Sequence, residues 1–215
     1  MIPKLMSVLV ATAPIACDAD RVAQRNLAGS RDRLPPLPRE SMSDAQKNAW
    51  DRFTAARGQR PFGPFVPLSR SPELMLAAQS TGDYLRFKSP LTPRIREMAI
   101  LLACRYWGQE YEWAVHYPLA LEAGLRREIV ESISNGRRPY GTDEEEDAAY
   151  ELVFEILHNK RVSDLSWKRA VQAYGEGGVV DLLGVTGYYS FLAVVLNAAR
   201  TPPPASGPLL SRFPN

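Results

Sequence analysis

Glu97, Gln109, Glu112 and His116 are the residues of this sequence whose types and spacing suit chemistry. Gln109, Glu112 and His116 stand at i, i+3 and i+7, so on a helix they form a single stripe about two turns long. Across one turn of that stripe a carboxylate and an imidazole meet. Glu97 comes earlier, ahead of Trp107-Gly108, and a tight break there folds two helices into a hairpin with facing stripes. Two carboxylates then approach one imidazole beside Tyr111 and Trp113. Such surroundings shift pKa values and suit proton transfer near neutral pH. The competing reading is a satisfied core histidine among Ala114, Val115 and Leu119.

Other chemistries find less support. The chain has two histidines, and neither they nor the acids show HExxH or another metal-ligand spacing, so no metal is expected. His158, in "EILHNK", suits a helix C-terminus, where an imidazolium is favoured. The two cysteines, Cys17 and Cys104, lie far apart with no CxxC, which excludes a dithiol or a structural zinc site built from one chain. Cys104, in "AILLACRYW", reads as a small core residue. The glycines of "YGEGGVV" follow no strand and lack a P-loop lysine, so they read as a turn. GxSxG is absent, and no cofactor is expected.

The elements that must position the stripe are helical throughout. In "MSDAQKNAWDRF", Ser43 and Gln46 have capping-box spacing. Ser71-Pro72 and Thr92-Pro93 each place a cap and a first-turn proline before apolar residues at helical spacing. Gly108 and Gly124 are C-terminal stops. Pro118, inside the second arm of the hairpin, costs a backbone bond and bends the axis near Ala114. Thr142, with Glu145 three residues on, is expected to cap "TDEEEDAAYELVFEILHNK". "VSDLSWKRAVQAYG" closes at Gly175, and "GVVDLLGVTGYYSFLAVVLNAA" is apolar on nearly every face, as a central helix or a subunit contact would be. No period-2 run competes, so the fold class is all-α.

"REMAILLACRYWGQEYEWAVHYPLALEAGL" resembles the core motif of the carboxymuconolactone decarboxylase family, whose relatives include AhpD-type alkylhydroperoxidases. The matching pieces are Arg96-Glu97 with its apolar run, Glu112-Trp113-Ala114, His116 and Gly124. The likeness covers roughly residues 35–204. It implies an AhpD-like helical domain with a central helical hairpin, and a trimer or hexamer with sites near subunit contacts. In AhpD-type relatives a glutamate, a CxxC pair and a histidine relay protons to a thiolate. Glu97 and His116 match the glutamate and the histidine, whereas Gln109 and Glu112 stand at the cysteine positions and supply no thiolate. The acid/base half remains. The resemblance then implies decarboxylation or proton transfer on a small anionic ring compound, with His116 as proton donor and Glu97 orienting it or relaying protons. Glu112 would hold Gln109 and His116 in register or act as a base. Arg96 or Arg105 would hold a substrate carboxylate, and Trp113 and Tyr111 would form apolar walls. An AhpD-type peroxidase and a non-catalytic ligand-binding oligomer are the alternatives.

Composition sets the rest. With 26 basic against 24 acidic residues and no basic run interleaved with aromatics, nucleic acid is not an expected partner. Hydrophobic residues at 45% suffice for one core without staples. Residues 1–34 read as an extension, 35–204 as the domain and 205–215 as a tail that wraps or dangles. An apolar run over residues 5–16 has signal-peptide length, but Pro14 disturbs the cleavage pattern before Cys17. A cytoplasmic protein without a transmembrane span is the expectation, with export through that run as the alternative.

Overall fold

The computed structural model describes residues 32–205 and 207–210 of the chain. The run over residues 5–16 and Cys17 lie outside them. The described residues form helices and no strand. After a 3₁₀ turn at Arg39–Ser41 come α1 (Asp44–Arg57), α2 (Phe65–Leu68), α3 (Pro72–Phe87) and α4 (Pro93–Trp107). They are followed by α5 (Glu110–Glu122), α6 (Arg127–Ser134), α7 (Glu144–Asn159) and α8 (Asp164–Ala199).

Local chemistry sets these boundaries. Ser43 accepts from the Gln46 N–H while the Gln46 side chain accepts from the Ser43 N–H, closing the expected capping box of α1. Thr92 accepts from the Ile95 N–H ahead of Pro93. Gly108, at φ 59°, ends α4 in the left-handed region open to glycine, and α5 begins two residues later. Two caps differ from expectation. Ser71 makes no side-chain bond, leaving Pro72 to start α3. At α7 the cap is Asp143, not Thr142: Asp143 accepts from the Glu146 N–H and Glu146 reciprocates, while Thr142 donates to Asp147. The carboxylate is the stronger acceptor, which moves the box by one residue.

α4 is the central helix. Ile95 and every residue from Glu97 to Cys104 are buried, and α5, α6, α7 and α8 pack around it. α8 is interrupted at the expected place, where Gly175 takes φ 68° and ψ 168°. One face of α8, including Val179, Leu182, Val185 and Leu192, joins the core, whereas Val180 and Val194 are 61% and 46% exposed. Its best 18-residue window has a mean hydropathy of 1.8, so by length and composition it could cross a membrane, yet half of that window is buried inside the fold. That burial is what an internal core helix shows. The described part of the tail wraps: Gly207 sits against Ala114, where an added Cβ would collide with that residue's own Cβ, and Leu210 is buried. Ala114 is also the residue whose carbonyl Pro118 leaves without its usual helical partner.

Candidate active site

The α4–α5 hairpin brings Glu97, Glu112 and His116 together. His116 Nδ1 lies 2.6 Å from Glu97 Oε2, and Nε2 lies 3.4 Å from Glu112 Oε2. Their exposures are 4% for Glu97, 5% for Glu112 and 2% for His116, so the cluster is withdrawn from bulk water. An ionised carboxylate only accepts, so the short contact makes Nδ1–H the donor to Glu97 and leaves Nε2 as the exchangeable nitrogen. From α8, the Tyr189 ring meets the imidazole edge to face at 4.9 Å and limits its rotation.

Charge follows from this geometry. Burial alone would favour neutral imidazole. Hydrogen bonds to Glu112 and Glu97, together with their charges, outweigh it and hold His116 above its ordinary pKa. Burial pushes the Tyr189 phenol well above its usual range, so it stays a neutral donor. Cys104, seven residues after Glu97 on α4, is buried at 1% exposure. Burial, and then Glu112 and Glu97, push its thiol well up. A thiolate is thus disfavoured where two carboxylates already sit.

His116 and Glu112 line a cavity of about 40 Å³. Its walls are Phe62, Pro64 and Phe65 from the α1–α3 region, Tyr111 and Val115 from α5, Tyr188, Tyr189 and Leu192 from α8, and the arginines Arg57 and Arg86. That volume holds a water or two, so a ring compound must part the walls to enter. Glu97 lies behind His116 and is not among the lining residues. A second hollow, about 270 Å³, is lined by Arg94, Arg126, Asp143 and Glu146. It is larger but contains no imidazole, and Arg94 already bonds Asp143 at 2.5 Å and Glu146 at 2.7 Å.

The remaining residues singled out from sequence are placed as follows. Tyr111 is a cavity wall, and its ring lies flush on Gly63, where a Cβ would stand 2.6 Å from Cε1. Gln109 is turned away from the cavity: its carbonyl oxygen caps α5 by accepting from the Tyr111 N–H, and its amide donates to Asn197 at 2.7 Å. Asn197 in turn donates to the Trp107 carbonyl at 2.8 Å, tying the hairpin to α8. Trp113 is a core residue beside Tyr117, with ring centroids 6.0 Å apart. Arg96 donates to the Leu91 carbonyl, and neither it nor Arg105 lines the cavity. His158 bonds the Phe154 carbonyl one turn back at 3.0 Å and stacks on that ring, a helix-end role. Among the described residues no group of three or more His, Cys, Asp and Glu is placed to hold a metal ion.

Sequence reasoning missed Arg57, Arg86, Tyr188 and Tyr189. Helical spacing connects residues within one hairpin, and these four come from α1, α3 and α8. The "YY" of "GVTGYYSF", two polar-tipped aromatics in an otherwise apolar helix, was the one signal available.

Residues 72–155 match the family described as the carboxymuconolactone decarboxylase family. No curated protein matches the chain. Solved structures share the fold. A protein of unknown function from Agrobacterium tumefaciens, described as a putative antioxidant defence protein AhpD, aligns with a TM-score of 0.58 at 17% identity, over 65% of this chain and 96% of its own. The debrominase Bmp8, as a variant in complex with 2,3,4-tribromopyrrole, aligns with a TM-score of 0.62 at 14% identity, over 80% and 91%. Its apo form gives 0.60 at 16%, over 80% and 92%.

Proposed function

We propose, on the premise that this chain belongs to the carboxymuconolactone decarboxylase family through residues 72–155, that it is a thiol-independent enzyme moving protons on a small anionic ring compound, by decarboxylation or simple proton transfer. The observation that carries this reading is the buried imidazole held between two carboxylates, with His116 and Glu112 opening onto one cavity. In decarboxylation the bond from the ring carbon to its carboxylate breaks, CO₂ leaves and the electron pair enters an enolate. His116 Nε2–H then protonates carbon, with Glu97 holding Nδ1 throughout. Glu112 steadies the imidazolium, or removes the proton when no CO₂ is lost. Like the family, the protein would assemble as a trimer or hexamer in the cytoplasm, the exposed apolar face of α8 supplying part of the contact. Light scattering should return three or six copies of the 24.0 kDa chain, and a monomer would remove this part of the proposal.

The test is a screen of lactones and unsaturated ring carboxylates against the wild type and two variants. Cys104→Ser should retain turnover within about twofold, and Cys104 should resist thiol reagents until the protein unfolds, because the thiol is buried and its pKa raised. Peroxide reduction that disappears in Cys104→Ser would instead establish the AhpD-type reading. Binding that survives His116→Gln, with no turnover of any compound by the wild type, would establish the non-catalytic one.

A further inference from the structure

The cavity contains two cations that the acid–base cluster does not use. Arg57, at the end of α1, donates from Nη2 to Asp83 at 2.7 Å, and its guanidinium lies 4.8 Å from the Phe65 ring centroid and 5.3 Å from that of Phe53. These contacts fix the plane of the group, and its side chain is only 12% exposed. Its Nε is buried without a hydrogen-bond partner. An orphaned guanidinium N–H beside a cavity is costly unless an acceptor arrives. Arg86 touches its own neighbour, the Phe87 ring, at 5.4 Å, and among the described residues no carboxylate lies within ion-pair distance of it. Both arginines line the same cavity as Glu112 and His116, yet neither pairs with Glu112. Had they served only to balance that carboxylate, an ion pair would be the expected arrangement.

We propose that Arg57, oriented by Asp83, and Arg86 form a clamp for the carboxylate of a flat, singly charged ligand whose body lies between Tyr111, Phe62 and Tyr188. The clamp rests on the acid–base reading for its purpose, but its binding is independent of turnover. Arg57 lies outside residues 72–155, so the family match does not extend to it. A monocarboxylate fits better than a phosphate, because the Glu97–His116–Glu112 cluster is already negative and repels a second ligand charge. The clamp also assigns a fate. A carboxylate held by guanidinium groups is stabilised as a charge and stays in the product, so a singly charged ligand has no second carboxylate to lose, and the reaction that fits it is proton transfer at a carbon nearer His116.

Arginine Nε–H resonances of the full-length, ¹⁵N-labelled protein test this, with sodium benzoate, benzamide and inorganic phosphate as probes. Benzoate should shift the Arg57 Nε–H resonance saturably, and benzamide should not. Affinity for benzoate should fall at least tenfold in Arg57→Lys and in Arg86→Gln. Among the described residues Arg86 has no hydrogen-bond partner, so its variant keeps the test meaningful if Arg57→Lys fails to fold. His116→Gln should still bind benzoate, which separates a failed clamp from a failed acid–base assignment. The clamp is overturned by undetectable benzoate binding, by equal responses to benzamide, by tighter binding of phosphate than benzoate, or by unchanged affinity in Arg86→Gln.

Discussion

His116→Gln is expected to lower turnover by roughly 10²- to 10⁴-fold, the usual contribution of a positioned acid–base group. Glutamine can donate a hydrogen bond to one carboxylate, but it cannot give and retake a proton. The same change removes the imidazolium that satisfies two buried carboxylates, 2.6 and 3.4 Å away. Breaking a buried charged contact by deleting one member costs about 3–5 kcal/mol, because the remaining charge has lost its compensation. The imidazolium contributes only while the ring is protonated, so the loss should be largest near and below about pH 6.5 and shrink as pH rises through the raised folded value. Turnover of a substrate found in the screen and urea unfolding of both proteins measure the two effects. A variant with wild-type kcat would remove His116 from the mechanism, whatever its stability.

The second large effect concerns Glu97. With Glu97→Gln, Nδ1 loses its charged acceptor at 2.6 Å and the imidazole loses the contact that selects its tautomer. Glu97 does not line the cavity, so substrate affinity should hardly change while kcat falls, by about 10²-fold. An altered KM with unchanged kcat would contradict this positioning role. The variant also changes how stability depends on pH. In the wild type the His116 pKa is raised on folding above its ordinary value of about 6.5. The folded state therefore binds the proton more tightly. The resulting stabilisation is fully present below about pH 6.5 and is lost as pH rises through the raised folded value. Glu97→Gln removes one cause of the increase, so the decline still begins near pH 6.5 but should end at lower pH and be smaller. Cys104 has the same sign at higher pH, since its thiol is also raised on folding. Unfolding curves from pH 5.5 to 9 in a Cys104→Ser background isolate the histidine, and a flat wild-type profile there would refute the assignment.

Much of this architecture can be read from local chemistry. Thr92-Pro93, Gly108 and the Ser43/Gln46 pair each act within a few residues of their position, so the starts of α1 and α4 and the turn of the hairpin follow from sequence. The Glu97–Glu112–His116 cluster was legible for the same reason, since it needs only one helical turn and one tight connection. Trp113 and Gln109 were harder. α5 is apolar on most sides, so spacing says which residues share a face without saying whether that face meets a cavity, the core or α8. Arg57 and Tyr188 could not be found this way, because they reach the site through packing between helices distant in the chain. The Thr142 expectation failed over a single residue: two adjacent side chains could each cap α7, and the charged one does.

The small size of the cavity has a kinetic consequence. Phe62 and Pro64, on the segment between α1 and α2, line the same cavity as His116, and Tyr111 lies against Gly63. A space of about 40 Å³ holds a water or two, so a ring compound enters only when its walls part. Under the proposed function each cycle would therefore include at least one opening against solvent drag, and product escape would be a step separate from chemistry. Thickening the medium with sucrose would slow the opening without touching the proton transfer, so a viscosity-sensitive kcat is the signature of a cycle limited by its door.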